Sequence, residues 1–82
     1  MIKSVNDILY AIDEQQYRIG MSDYEAARKA GISRASLSRW KCGDRLPQLS
    51  QLLRVMDVVG LELSVVRKEN GNDDEQIEIL RA

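Results

Sequence analysis

The chain is 82 residues long, with 44% apolar and 30% charged residues and a net charge of -1, the makeup of one ordinary globular domain. It holds a single cysteine, Cys42, and no histidine, which excludes an intrachain disulfide, a zinc cluster and every imidazole-based triad. So short a chain leaves little room for a deep pocket, and neither enzyme activity, a cofactor nor a metal site is expected.

In chain order, the first predicted element is a helix from about Val5 to Tyr17. Ser4 is a suitable N-cap with Asp7 three positions on, and Val5, Ile8, Leu9 and Ile12 form one apolar stripe. No apolar run approaches the ~18–20 residues of a membrane span. The opening Met1-Ile2-Lys3-Ser4 lacks the layout of an export signal, so a cytoplasmic location and no membrane partner are expected.

A second helix is predicted over Asp23 to Ala30, opened by the capping-box pair Ser22 and Glu25, with Ala26, Ala27 and Ala30 as a small-residue face. A third, Arg34 to Cys42, follows the N-cap Ser33 and turns Leu37 and Trp40 inward at i, i+3. The fourth is predicted from about Leu49 to Val59, behind Pro47, with Leu49, Leu52, Leu53 and Met56 as its stripe. Gly20, Gly31, Gly43 and Gly60 each follow one of these segments, where a helix end favours a residue able to take positive φ. Helices of two or three turns are unstable alone, so the four are expected to close over one core.

Alternation and β-branching then mark Leu61 to Arg67 as a strand. A lone strand leaves its backbone groups unpaired. One possible partner lies beyond Asn70-Gly71, a hairpin signal that sets Ile77 and Ile79 against Val65 and Leu63. The other is the same strand in a second subunit, with Asp73 to Leu80 as a short acidic helix or tail. The intersubunit pairing is preferred, because it also produces a dimer; a second copy is in addition a source of burial for so small a core.

Charge is unevenly spread. Residues 18–45 hold seven bases against three acids, a net +4, whereas residues 69–82 hold Arg81 against five acids, a net -4. A basic middle beside an acidic tail suits a protein that presents one face to phosphates. That face is legible on the third helix: with Leu37 and Trp40 inward, Arg34, Ala35, Ser38, Arg39 and Lys41 lie outward and Ser36 at the boundary, without any acid. Arginine can bond guanine O6 and N7 together, and alanine can touch a thymine methyl. The bland alternative is an ordinary solvated helix face. Similar weighing makes Trp40 a core residue, Cys42 a plain helix-end residue, and Tyr10, Tyr17 and Tyr24 half-buried packing groups.

Between Ser22 and Gly43 the small Ala27, the turn residue Gly31 and the apolar Ile32, Leu37 and Trp40 describe two short helices joined by a tight turn. From about residue 20 to 60 the chain resembles the lambda-repressor/Cro-like helix-turn-helix regulators, the XRE family, most closely in the run Ala-Gly-Ile-Ser-Arg-Ala-Ser-Leu-Ser-Arg-Trp at 30–40. The resemblance implies a mainly α fold: a four-helix domain over residues 1–60, then a dimerisation strand and acidic tail over 61–82. It also implies a third helix that enters the major groove of double-stranded DNA, with Arg34, Ala35, Ser36 and Arg39 at the base-reading positions.

Backbone contacts are expected from Ser22, Ser33, Ser38, Lys41 and Arg45, with Arg18 or Lys29 as further edge charges. Asp23 stands where the family usually has a glutamine that touches phosphate, and a carboxylate there repels phosphate unless it only caps the helix. The strand after the last helix resembles the antitoxin branch of the family. That branch implies a homodimer joined through Leu61, Leu63 and Val65, a palindromic operator, repression of its own operon and a cognate toxin partner. The competing expectations are a phage-type repressor without a toxin, and a protein-interaction module that no longer binds DNA, which Asp23 and the net acidity favour slightly.

Overall fold

The structure, a computed structural model, describes residues 4–67 and 75–81, with side chains from Ser4 to Val65. Four helices, α1 (Val5–Ile19), α2 (Asp23–Ala30), α3 (Arg34–Cys42) and α4 (Leu49–Val59), lead into a two-stranded antiparallel ribbon of β1 (Leu61–Arg67) and β2 (Glu75–Arg81). The four helices are the expected ones; α1 continues two residues beyond Tyr17. No helix among the described residues is long and apolar enough to cross a membrane.

The caps set the boundaries. Ser22 Oγ accepts the Glu25 amide at 3.1 Å and Ser33 Oγ the Ser36 amide at 3.1 Å, each satisfying one of the donors a helix leaves open at its start. Only that half of the Ser22–Glu25 capping box is formed. At the other end of α2, Gly31 takes φ 75° and gives its amide to the carbonyls of Ala27 and Arg28. Ile32 donates to Ala27 O at 3.0 Å. Such a turn needs the left-handed conformation that glycine adopts without a Cβ penalty, and it lets α3 leave α2 within three residues.

One core joins the helices: Ile8, Leu9 and Ile12 of α1, the three alanines of α2, Leu37 and Trp40 of α3, and Leu52, Val55, Met56 and Val59 of α4. Ala26 and Ala27 are almost fully buried, so larger side chains there would push α2 away from its neighbours. The buried stripe of α4 begins one turn later than the sequence suggests. Leu49 is 61% and Leu53 41% exposed, because the face that α4 turns to the core runs through Leu52, Val55, Met56 and Val59, which leaves Leu53 on its flank and Leu49 beyond its end. Tyr10, Tyr17 and Tyr24 are 70%, 87% and 59% exposed. The expectation of half-buried tyrosines fails, since the packed faces of α1 and α2 are already filled by smaller apolar groups.

The strand finds its partner within the chain. β1 pairs with β2 in the register Leu61↔Arg81, Leu63↔Ile79 and Val65↔Ile77, so the hairpin alternative is formed and fills one edge of β1; the intersubunit pairing preferred from sequence concerns a second copy and the other edge. Residues 75–81 are strand, neither the short helix nor the tail attached to that preference. The Asn70-Gly71 hairpin signal lies outside the described residues. Apolar residues alternate at 63 and 65 and again at 77 and 79, and the antiparallel pairing satisfies backbone groups that a lone strand leaves open. Leu61, expected at a dimer contact, is only 4% exposed and belongs to its own subunit's core. Leu63 packs partly against that core and Val65 is exposed.

Candidate nucleic-acid interface

α3 is nine residues long and is held by two apolar side chains, Leu37 and Trp40. Residues three apart share a helix face, so these anchors leave the opposite face outside. Arg34, Ala35, Ser38 and Arg39 are exposed there, and Ser36 is half-buried at the boundary. No carboxylate among the described residues forms an ion pair with Arg34 or Arg39. Both guanidinium groups keep their forked donors for an outside acceptor. Ser33 Oγ caps the helix and donates to Ser36 Oγ at 2.9 Å, which fixes the Ser36 oxygen and leaves its own hydroxyl proton to give away.

The expected backbone contacts divide. Arg45, in the loop after α3, Ser38 on α3 and Arg18 and Lys29 at the edges are exposed. Ser22 and Ser33 are exposed too, but each hydroxyl oxygen already accepts a helix amide; the Ser22 proton can still serve a phosphate, whereas the Ser33 proton would first have to leave Ser36 Oγ. Lys41 differs from all of these. Its Nζ lies 2.6 Å from Asp23 Oδ1, 2.7 Å from Gln16 Oε1 and 2.9 Å from Asp13 Oδ1, and its side chain is only 17% exposed. The lysine expected at the edge of the DNA backbone turns inward, because Asp23 and the buried Gln16 hold it, with the exposed Asp13 as a third acceptor.

Sequence reasoning missed this cluster. Gln16, 4% exposed on the inner side of α1, donates through Nε2 to Met21 O at 3.2 Å and to Asp23 Oδ1 at 2.9 Å. A buried amide must have such partners. Burial raises the tendency of Asp23 to hold its proton; hydrogen bonds from Lys41 and Gln16 and the charges of Lys41 and Arg34 outweigh it, so the carboxyl sits below its ordinary value. The one signal in the sequence was Asp23 itself, an acid on a basic stretch that needed a nearby cation.

Among the described residues no three His, Cys, Asp or Glu side chains converge to hold a metal. The site offers guanidinium forks, hydroxyls and a methyl on a convex helix face, groups suited to base edges in a major groove wide enough for one helix. Comparison with curated proteins and with solved structures gives no significant match. A sequence model for the helix-turn-helix family HTH_3 matches residues 15–66, more than half of the chain and the whole of α2, α3 and α4. With this match and the exposed basic face of α3, the chain belongs to the HTH_3 helix-turn-helix family of DNA-binding transcription regulators.

Proposed function

We propose that the protein is a sequence-specific repressor that binds a palindromic operator as a homodimer, with α3 in the major groove. The observation that carries this reading is the face of α3: Leu37 and Trp40 are buried, while Arg34, Ala35 and Arg39 are exposed and no acid pairs with either arginine. Arg34 and Arg39 read bases, with Ala35 and Ser36 between them; Arg45, Ser22, Ser33 and Ser38 contact the backbone. Two copies set their α3 helices one turn of DNA apart, roughly 34 Å, on the two half-sites, and the bound dimer blocks transcription of the chain's own operon. Selecting duplexes from a random pool with the full chain tests this. A palindromic consensus bound with steep salt dependence supports it, and no binding even at low salt overturns it in favour of a protein-interaction module.

A finer reading is that the repressor is also the antitoxin of a toxin–antitoxin pair. The acidic stretch 69–82, net -4, favours a partner protein with a basic surface. Co-expression with the product of the neighbouring reading frame checks this. Growth arrest by that product alone, relieved by this chain in a stable complex, is the expected result. Absence of either effect leaves a repressor without a toxin.

A further inference from the structure

We propose that Lys41 is a positioning residue of the recognition helix: locked to Asp23, Gln16 and Asp13, its ammonium sets the angle at which α3 is presented, and it makes no phosphate contact. This inference rests on the DNA-binding reading above. An ammonium has three N–H donors, and three protein acceptors lie at 2.6, 2.7 and 2.9 Å. Nothing is left for a phosphate.

The cluster ties three helices at one point. Asp13 and Gln16 belong to α1, Asp23 is the first residue of α2, and Lys41 lies in the last turn of α3. Gln16 extends the tie to the α1–α2 turn through Met21 O. The two buried apolar side chains of α3, one turn apart, press it onto the core but resist rotation about their shared line weakly. Lys41 supplies a further attachment beyond Trp40. Reading groups act only when held within about half an ångström of their productive geometry. A small roll of α3 would move both Arg34 and Arg39, which project from the same nine residues.

The same geometry accounts for the acid at the head of α2. Asp23 does not meet phosphate as a bare repulsive charge. Lys41 at 2.6 Å and Gln16 at 2.9 Å occupy it, and Arg34 also stabilises its charged form. Removing it therefore has opposite consequences under the two views. If Asp23 only repels DNA, Asp23→Asn tightens binding. If it anchors Lys41, Asp23→Asn weakens binding despite the lost negative charge.

The experiment titrates wild type, Lys41→Met, Asp23→Asn and the double variant, as full chains, against the selected operator duplex and a scrambled duplex at several salt concentrations. The expected result is an operator affinity reduced about tenfold in each single variant, the order of one lost bidentate base contact. Affinity for the scrambled duplex and the slope of log affinity against log salt should stay as in wild type, and the double variant should lose no more than either single one. A slope about one smaller in Lys41→Met, with equal weakening on both duplexes, would mark a phosphate clamp and overturn the proposal. Tighter operator binding by Asp23→Asn would overturn it as well. Should Lys41→Met fail to fold, Asp23→Asn carries the sign test alone. If wild type binds neither duplex, the DNA-binding reading falls, and the tie is judged on the free protein by its amide NMR spectrum. Both single variants should then shift the same α3 amides, and α3 amides unmoved in both would sink it.

Discussion

Lys41, in the last turn of α3, holds Asp23, the first residue of α2, at 2.6 Å across the recognition motif. The carboxylate sits at a helix N-terminus, where the aligned peptide dipoles favour negative charge, and its partner ends a helix whose C-terminus favours positive charge. Each residue thus sits in a favourable backbone field before the pair forms. Asp13, 71% exposed, shares the same ammonium and adds little, because a solvated carboxylate gains little from an ion pair.

This arrangement predicts an acid-side stability profile. The Asp23 carboxyl titrates below its ordinary value of 3.8 in the folded chain, so between the two values the unfolded chain binds the extra proton. Its contribution is therefore complete above the ordinary value and is lost as pH falls through the lowered one. Thermal melts of wild type and Asp23→Asn between pH 2 and pH 6 should converge at the acid end, with wild type the more stable at the upper end. Parallel curves would show that Asp23 adds nothing to the pH dependence.

Arg39→Ala should remove discrimination at one position of each half-site and leave the fold intact. The side chain is exposed and has no acid partner among the described residues, so its truncation should shift stability by no more than about 0.5 kcal/mol. A bidentate arginine–guanine contact is worth about 1–3 kcal/mol of discrimination. Gel-shift competition between the operator and single-base variants should therefore lose roughly a factor of ten at that position. Unchanged selectivity would remove Arg39 from the reading set. Arg34→Ala should behave alike at a different base, with an added rise in the Asp23 titration, since Arg34 is one of the charges that lower it.

Local signals carried much of this in the sequence. The boundaries of α2 and α3 are set by Ser22, Gly31, Ser33 and Gly43, each acting within its own turn of helix, which is why they could be read directly. The outward face of α3 followed from the same periodicity. What could not be read depends on how distant segments meet. Leu49 and Leu53 fit an apolar stripe as well as Val55 and Val59 do, and only the docking of α4 decides between them. The Lys41–Asp23–Gln16 cluster joins residues up to 25 positions apart with no periodic trace. The choice between hairpin and intersubunit pairing rested on which partner a strand edge takes, which alternation alone does not decide.

Leu37→Ala tests the anchor itself. Leu37 is fully buried and is one of only two buried apolar contacts of α3, so the cavity should cost about 2–5 kcal/mol. For a domain of this size that lowers Tm by on the order of 10 °C or more, measurable by circular dichroism. DNA affinity should fall further than stability alone requires, because α3 would retain Trp40 and the Lys41 tie but lose the anchor beside Arg34. A variant with wild-type Tm would mean that α3 is not held through Leu37.

Val65→Asp tests self-association. Of the three strand residues expected at a dimer contact, Leu61 is buried in its own core, Leu63 is partly packed on it, and Val65 is 60% exposed. One edge of β1 is taken by β2, and a two-stranded ribbon is marginally stable unless another layer covers its apolar face. A second copy of the ribbon would supply that cover and bring two recognition helices onto one duplex. Sedimentation should therefore show a wild-type dimer that Val65→Asp dissociates, with operator binding weakened through loss of the paired half-sites. Because Val65 lies outside the core, the monomer should keep its helical spectrum. A Val65→Asp variant that sediments with wild type as a dimer would move the contact elsewhere, and the exposed Leu49 and Leu53 of α4 would then be the residues to charge next.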